Sequence, residues 1–393
     1  MPVSLVENRF ASNQASYPPA HESTLDATHA HGAHRVIAEW PGYAPTPLRA
    51  LPQLASAMGV GALHYKDEAG RFGLGSFKAL GGAYAIYREI ERTLAALGDD
   101  RAFNIDALLA GDLRDVTNAI TVCSATDGNH GRSVAWGAQQ FGCRAVIYIH
   151  ETVSQGRADA IAAYGAEVIR NPGNYDEAVR RADQDAHANG WTVISDTSWP
   201  GYEAIPRDVM LGYTVMANEA IADWPGPAPT HCFVQGGVGG MAAAVCATLW
   251  WCYRQERPRC VVVEPETAAC LYASATEGKR TMVGGDLETI MAGLSCGEPS
   301  LTAWPILRDA CRWFATIDDD LAAETMRQLA APAGDAPLVA GESAVAGLAA
   351  CLALANDESL RAKIGLNQDA RVLVFGTEGA PADSPATSGA SPA

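Results

Sequence analysis

Short apolar runs alternate along this chain with segments whose apolar residues recur every three or four positions. A-I-T-V-C-S (119–124), R-A-V-I-Y-I (144–149), A-E-V-I-R (166–170) and W-T-V-I-S (191–195) read as buried strands. H-C-F-V-Q (231–235), C-V-V-V-E (260–264) and R-V-L-V-F (371–375) read the same way further on. Between them, residues 133–141, 154–163 and 175–186 carry helical spacing. Apolar strands alternating with amphipathic helices predict an α/β protein whose mostly parallel sheets are covered on both faces. No internal repeat and no clear linker is present, so two domains, if formed, are interwoven rather than consecutive. Residues 1–35 are polar and irregular and predict a flexible leader, in which H-A-H-G-A-H (29–34) could bind metal or be incidental. Residues 381–393, rich in Pro, Ser, Gly and Ala, predict a disordered tail.

Composition narrows the function. The 393 residues are 48% hydrophobic, enough for a substantial core. A net charge of −17 argues against non-specific binding to nucleic acid or anionic membranes, which require a basic surface. No apolar run approaches a membrane span, and the first residues lack the basic start and apolar core of a signal peptide. Ten cysteines occur without C-x-x-C pairs, suggesting neither a disulfide scaffold nor a zinc site. A cytoplasmic, soluble protein with reduced thiols and no metal is expected.

Four stretches could carry chemistry. Q-G-G-V-G-G-M-A (235–242) follows a strand and opens a helix, where converging backbone N–H groups hold a phosphate. It also fits the loose dinucleotide pattern from Gly237 to Ala242, with Glu264 ending the next strand, so NAD is one reading; a bare strand-to-helix turn is another. A-T-D-G-N-H-G-R (125–132) crowds polar groups at a helix start and could equally be a capped turn. S-D-T-S-W-P-G-Y-E (195–203) places Asp196 after a strand, as a cap or a catalyst. G-L-G-S-F-K-A-L-G-G (73–82) sets Lys78 among Phe77, Ala79 and Leu80. Desolvation there would lower the amine's pKa and make it nucleophilic; a snorkelling lysine is the plainer alternative. Together these are what pyridoxal 5'-phosphate requires: a lysine for the imine, glycines for the phosphate, and a polar group for the ring oxygen. Thr377 in F-G-T-E-G (375–379) could supply a hydroxyl for the ring nitrogen, or be a plain turn residue.

The set F-K-A-L-G-G, A-T-D-G-N-H-G-R, Q-G-G-V-G-G and F-G-T-E-G resembles the fold-type II pyridoxal-phosphate enzymes, the tryptophan synthase β and threonine dehydratase group, over roughly residues 35–380. R-F-G-L-G-S-F-K, S-D-T-S-W-P-G-Y-E-A-I-P, M-L-G-Y-T-V-M-A-N-E-A and T-I-M-A-G-L-S-C-G-E-P resemble one branch, the diaminopropionate ammonia-lyases. The resemblance implies two interwoven open twisted-sheet domains: a large cofactor-binding domain of 36–95 and 198–380, and a small one of 96–197. It implies that Lys78 holds the cofactor with Phe77 beside it, that Asn129 meets the ring oxygen, and that Gly236, Gly237, Val238, Gly239 and Gly240 bind the phosphate. Thr377 would meet the ring nitrogen and leave it largely unprotonated. The same set disfavours NAD.

Dehydratases of this group carry serine where Asp127 stands. In the lyase branch Asp127 and Asp196 would approach the substrate's α-carbon from opposite faces, one serving each isomer of 2,3-diaminopropionate. The expected reaction is α,β-elimination to pyruvate and two ammonia, by a homodimer acting on a small amino acid. The alternatives are a serine, threonine or 3-hydroxyaspartate dehydratase, or a non-catalytic cofactor-binding protein. Two departures stand out: Pro381, where a Thr-Asp pair is expected, and R-D-V (207–209), where a Thr-Trp-type pair is expected and substrate choice could shift. Cys270 and Cys296 are expected near the site, as inert buried thiols or as a redox pair.

Overall fold

The structure, a computed structural model, describes residues 3–126, 128–173 and 175–380. Asp127, Pro381 and the expected tail lie outside the described residues. The strands are β1 (Val3–Glu7), β2 (Leu48–Ala50), β3 (Ala62–Asp67), β4 (Thr121–Ala125), β5 (Arg144–His150), β6 (Glu167–Asn171), β7 (Thr192–Val193), β8 (His231–Gln235), β9 (Arg259–Pro265), β10 (Cys311–Ile317) and β11 (Arg371–Gly376). The helices that matter for the site are α1 (Ala27–Ala38), α2 (Lys78–Leu97), α3 (Asn129–Phe141), α4 (Gln155–Ala162), α5 (Tyr175–Asn189), α6 (Ala204–Ala222), α7 (Gly240–Tyr253) and α8 (Cys270–Glu277).

Two sheets form. One has seven strands in the order β1-β10-β9-β8-β11-β3-β2, and the other has four in the order β6-β5-β4-β7. The small sheet is parallel throughout. The large sheet is parallel in its centre, with β1 and β2 added antiparallel at its two edges. The central strand β8, H-C-F-V-Q, is buried along its whole length, because helices cover both faces. No helix among the described residues is long and apolar enough to cross a membrane.

The sequence missed the edges. Residues 3–7 are not a flexible leader: they pair with β10 from Val3↔Ile317 to Glu7↔Trp313. Five residues of which only Val3 is buried give too short a signal to separate from loop. The histidine cluster likewise falls on α1, whose Ala30, Ala33 and Ile37 are buried. Asp26 caps that helix through the His29 N–H at 2.9 Å, and His34 Nε2 lies 3.0 Å from the Tyr43 hydroxyl. Among the described residues no group of three or more His, Cys, Asp or Glu could hold a metal. W-T-V-I-S shortens to two strand residues because the Ser195 N–H turns to the Tyr202 hydroxyl, at 3.0 Å, instead of a neighbouring strand.

Helix α2, which begins at Lys78, lies between α3 and α6. A β-carbon on Gly212 would collide with the Leu80 carbonyl, and one on Gly81 would come 2.5 Å from Tyr213 Cε1. Only glycine lets these helices approach at backbone distance.

A buried charge network fixes the segment leading into α2. Glu219 on α6 accepts from Lys66 Nζ at 2.6 Å and from Arg71 Nη2 at 2.6 Å and Nη1 at 2.8 Å. Arg71 also donates to Glu68 at 2.8 Å, and Thr46 Oγ1 donates to Glu68 at 2.5 Å. Lys66 and Glu68 are fully buried and Glu219 is 3% exposed. Burial raises the Glu219 carboxyl, but Arg71 and Lys66 outweigh it and hold the group at about 2. Removing one partner strands buried charge. We therefore expect Glu219→Gln to lose about 3–5 kcal/mol of stability, read from urea unfolding by circular dichroism. A loss within ordinary surface-mutation range would contradict the role assigned to the network.

Candidate active site

Loops leave the carboxyl ends of β4 and β7 in one sheet and of β8 and β11 in the other. In open α/β sheets this is where ligands bind. They line a cleft of about 2260 Å³ that brings together Phe77, Lys78, Asn129, Asp196, Gly236, Gly237, Val238, Gly240 and Thr377. Of the described residues expected to hold the cofactor or act on the substrate, only Gly239 does not line it. Its φ is +99°, and a β-carbon there would meet Leu307 Cδ1 at 2.9 Å, so Gly239 serves the turn instead.

At the centre, Lys78 Nζ donates to Asp196 Oδ2 at 2.5 Å. Both side chains are largely buried, at 19% and 25% exposed. The Lys78 amine lies 5.3 Å from the Phe77 ring centroid and 5.8 Å from that of Tyr213. Its pKa does not fall, as desolvation alone would predict. Burial does push the ammonium down, but the adjacent Asp196 carboxylate more than offsets it, and the amine lies above its ordinary value. Burial likewise raises Asp196, and Lys78 and His130 outweigh it, holding that carboxyl below its ordinary range.

Local structure holds Asp196 in place. Trp199 and Tyr202 stack at 4.1 Å and 13°, and the Tyr202 hydroxyl donates to Val193 O at 2.6 Å. Ser198 Oγ meets Ser300 Oγ at 2.7 Å and Thr302 Oγ1 at 2.9 Å. Across the cleft, Asn129 Nδ2 donates to Glu378 Oε2 at 2.6 Å, a partner the sequence reading missed although T-E-G follows a strand directly. The Phe77 N–H donates to Thr377 O at 3.1 Å, which ties β11 to the start of α2.

The loop over residues 236–240 presents almost no side chains and opens the 14-residue α7. A β-carbon on Gly236 would fall 2.6 Å from Glu264 Cγ, so the loop can sit here only as glycine. A bare backbone loop at a helix start, in one cleft with a largely buried lysine, fits pyridoxal phosphate. Glu264 does not line the cleft, as an NAD reading would need. It accepts the N–H groups of Leu271 at 2.9 Å and Tyr272 at 2.7 Å in the first turn of α8. Cys270 Sγ lies 3.8 Å from Gly237 O, and Cys296 Sγ lies 3.9 Å from a β-carbon built on Gly237. Neither forms a disulfide. Arg207 and Asp208 lie outside the cleft: Asp208 is buried against Arg92, whose Nη1 donates to it at 2.6 Å, and Arg207 reaches Ser23 O at 3.2 Å. They do not contact the site where a change of substrate would be set.

Residues 39–377 match the family model described as pyridoxal-phosphate dependent enzyme. The chain is 42% identical over 384 residues to diaminopropionate ammonia-lyase of Escherichia coli (strain K12), covering 96% of this chain and 93% of that one. The chain belongs to the diaminopropionate ammonia-lyase family of pyridoxal-phosphate dependent enzymes. A crystal structure of the Escherichia coli enzyme in complex with D-serine superposes with a TM-score of 0.87 at 38% identity, covering 97% of this chain and 94% of that one. A second, in complex with an aminoacrylate-PLP azomethine reaction intermediate, gives 0.85 at 38% identity and the same coverage. The two-sheet architecture is the fold-type II fold of that family.

The glycine loop over residues 236–240 rests against a carboxyl with its own pH signature. Burial raises Glu264 to about 8, despite the two backbone N–H bonds that oppose the shift. Between the ordinary carboxyl value and about 8, the folded chain keeps a proton that the unfolded chain has released. Stability therefore falls as pH rises through that window and levels off above it. Glu264→Gln should show a smaller drop in melting temperature than the parent between about pH 5 and about pH 9; an equal drop would contradict the assignment.

Proposed function

We propose that this chain catalyses α,β-elimination of 2,3-diaminopropionate to pyruvate and two ammonia, with pyridoxal phosphate. The observation that carries the reading is the Lys78–Asp196 contact beside the glycine loop, in a chain 42% identical to a diaminopropionate ammonia-lyase. When bound, pyridoxal phosphate supplies an electron sink for the pair left at the substrate's α-carbon.

The chain's own residues divide the remaining work. Lys78 holds the cofactor and, when free, carries a proton at Nζ. Gly236, Gly237, Val238 and Gly240 receive the phosphate, with Phe77 at the lysine, Asn129 for the ring oxygen and Thr377 for the ring nitrogen. Asp196, kept ionised by Lys78, takes the α-proton from one face. Asp127 serves the opposite face, supported by its place in A-T-D-G-N-H-G-R. Residues 96–197, which carry the small sheet, would close over the cleft and exclude water. A homodimer in the cytoplasm goes with this reading, supported by the family resemblance.

Turnover decides it. Purified holoenzyme offered D- and L-2,3-diaminopropionate should release two ammonia per pyruvate. One ammonia per keto acid, from hydroxy amino acids only, would move the chain to the dehydratases. Asp196→Asn should lower kcat/KM for one isomer by about 10²–10⁴-fold while largely sparing the other, with Asp127→Asn showing the reverse. Equal losses on both isomers would contradict the two-face assignment.

A further inference from the structure

The cleft holds one more proton-bearing group than this scheme uses. Tyr213 on α6 is 1% exposed and lines the cleft. Its ring packs 4.6 Å from that of Phe77, centroid to centroid, and the close approach of Gly81 fixes it against α2. The Tyr213 hydroxyl is buried and its O–H donates to no group; the Lys78 amine is the neighbour that can donate to it. Buried hydroxyls are nearly always partnered, and a donor left open calls for an explanation. The Tyr213 ring centroid lies 5.8 Å from the Lys78 amine, and both side chains line the same cleft. Burial pushes the phenol above its ordinary value, Lys78 opposes the shift and Asp196 adds to it. The group therefore stays O–H, a donor waiting for an acceptor.

We propose that Tyr213 is a further catalytic residue, the acid that protonates the departing β-nitrogen while the Lys78 ammonium reprotonates it. The inference rests on the elimination proposed above. In that step the Cα proton goes to an aspartate, and the pair left behind forms the Cα–Cβ double bond. The Cβ–N bond breaks, and its pair stays on nitrogen. The Tyr213 O–H gives that nitrogen its proton, and Lys78 returns one to the phenol oxygen in the same movement. Ammonia leaves, the phenol is restored, and Lys78 is left as the neutral amine. No free phenolate forms, which is why a phenol with a high pKa can serve.

Tyr213→Phe removes the hydroxyl and keeps the ring packed between Phe77 and Gly81. The test pairs two substrates that differ in the leaving group. Diaminopropionate loses an amine that needs a proton, whereas β-chloroalanine loses chloride, which does not. Tyr213→Phe should lower kcat/KM for diaminopropionate by about 10²-fold and change that for β-chloroalanine by less than about threefold. Its affinity for pyridoxal phosphate, the visible absorption of the bound cofactor and the melting temperature should match the parent. An equal loss on both substrates, or no loss on diaminopropionate, would overturn the proposal. A parent enzyme that releases pyruvate from β-chloroalanine but not from diaminopropionate would instead overturn the proposed reaction, and this step with it.

Discussion

Lys78 and Asp196 are 118 residues apart in the chain and 2.5 Å apart in space. That contact joins the start of a helix that follows the large sheet's β3 to a loop that follows the small sheet's β7. Two largely buried charges at this distance stabilise one another only if both backbones are held still. Much of the surrounding structure does that holding. Glycines at 81 and 212 let α2 and α6 meet closely. The stacked Trp199 and Tyr202 and the hydroxyl cluster of Ser198, Ser300 and Thr302 brace the loop that carries Asp196.

The chain separates its buried cations by task. Its lysines are Lys66, Lys78, Lys279 and Lys363. Lys66 is fully buried and committed to Glu219 and the Thr46 carbonyl. Lys279 and Lys363 are exposed. Lys78 alone lines the cleft. The Lys66–Glu219–Arg71–Glu68 network is charge-balanced within itself, so it anchors the approach to α2 without adding net charge to the site.

Much of this was legible in the sequence. Buried parallel strands such as H-C-F-V-Q need no partner information to be read, because both faces are apolar. The glycine loop was legible because the backbone conformation and close contacts demand glycine, and Lys78 because charge is rare in an apolar run. What escaped depends on residues distant in the chain. β1 buries only Val3 and shows itself only against β10. The pKa of Lys78 moves up rather than down because Asp196 arrives from another sheet. Glu378 meets Asn129 across 249 positions, and Tyr213 reads as an ordinary core residue of α6 until it is placed in the cleft with Lys78.

The account's central claim is that Lys78 holds the cofactor. The most direct test is to reduce the holoenzyme with borohydride, digest it, and locate the pyridoxyl group by mass spectrometry. The account predicts a single labelled peptide containing Lys78. A label on Lys66, Lys279 or Lys363, or a fully loaded enzyme that yields no labelled lysine, would contradict it.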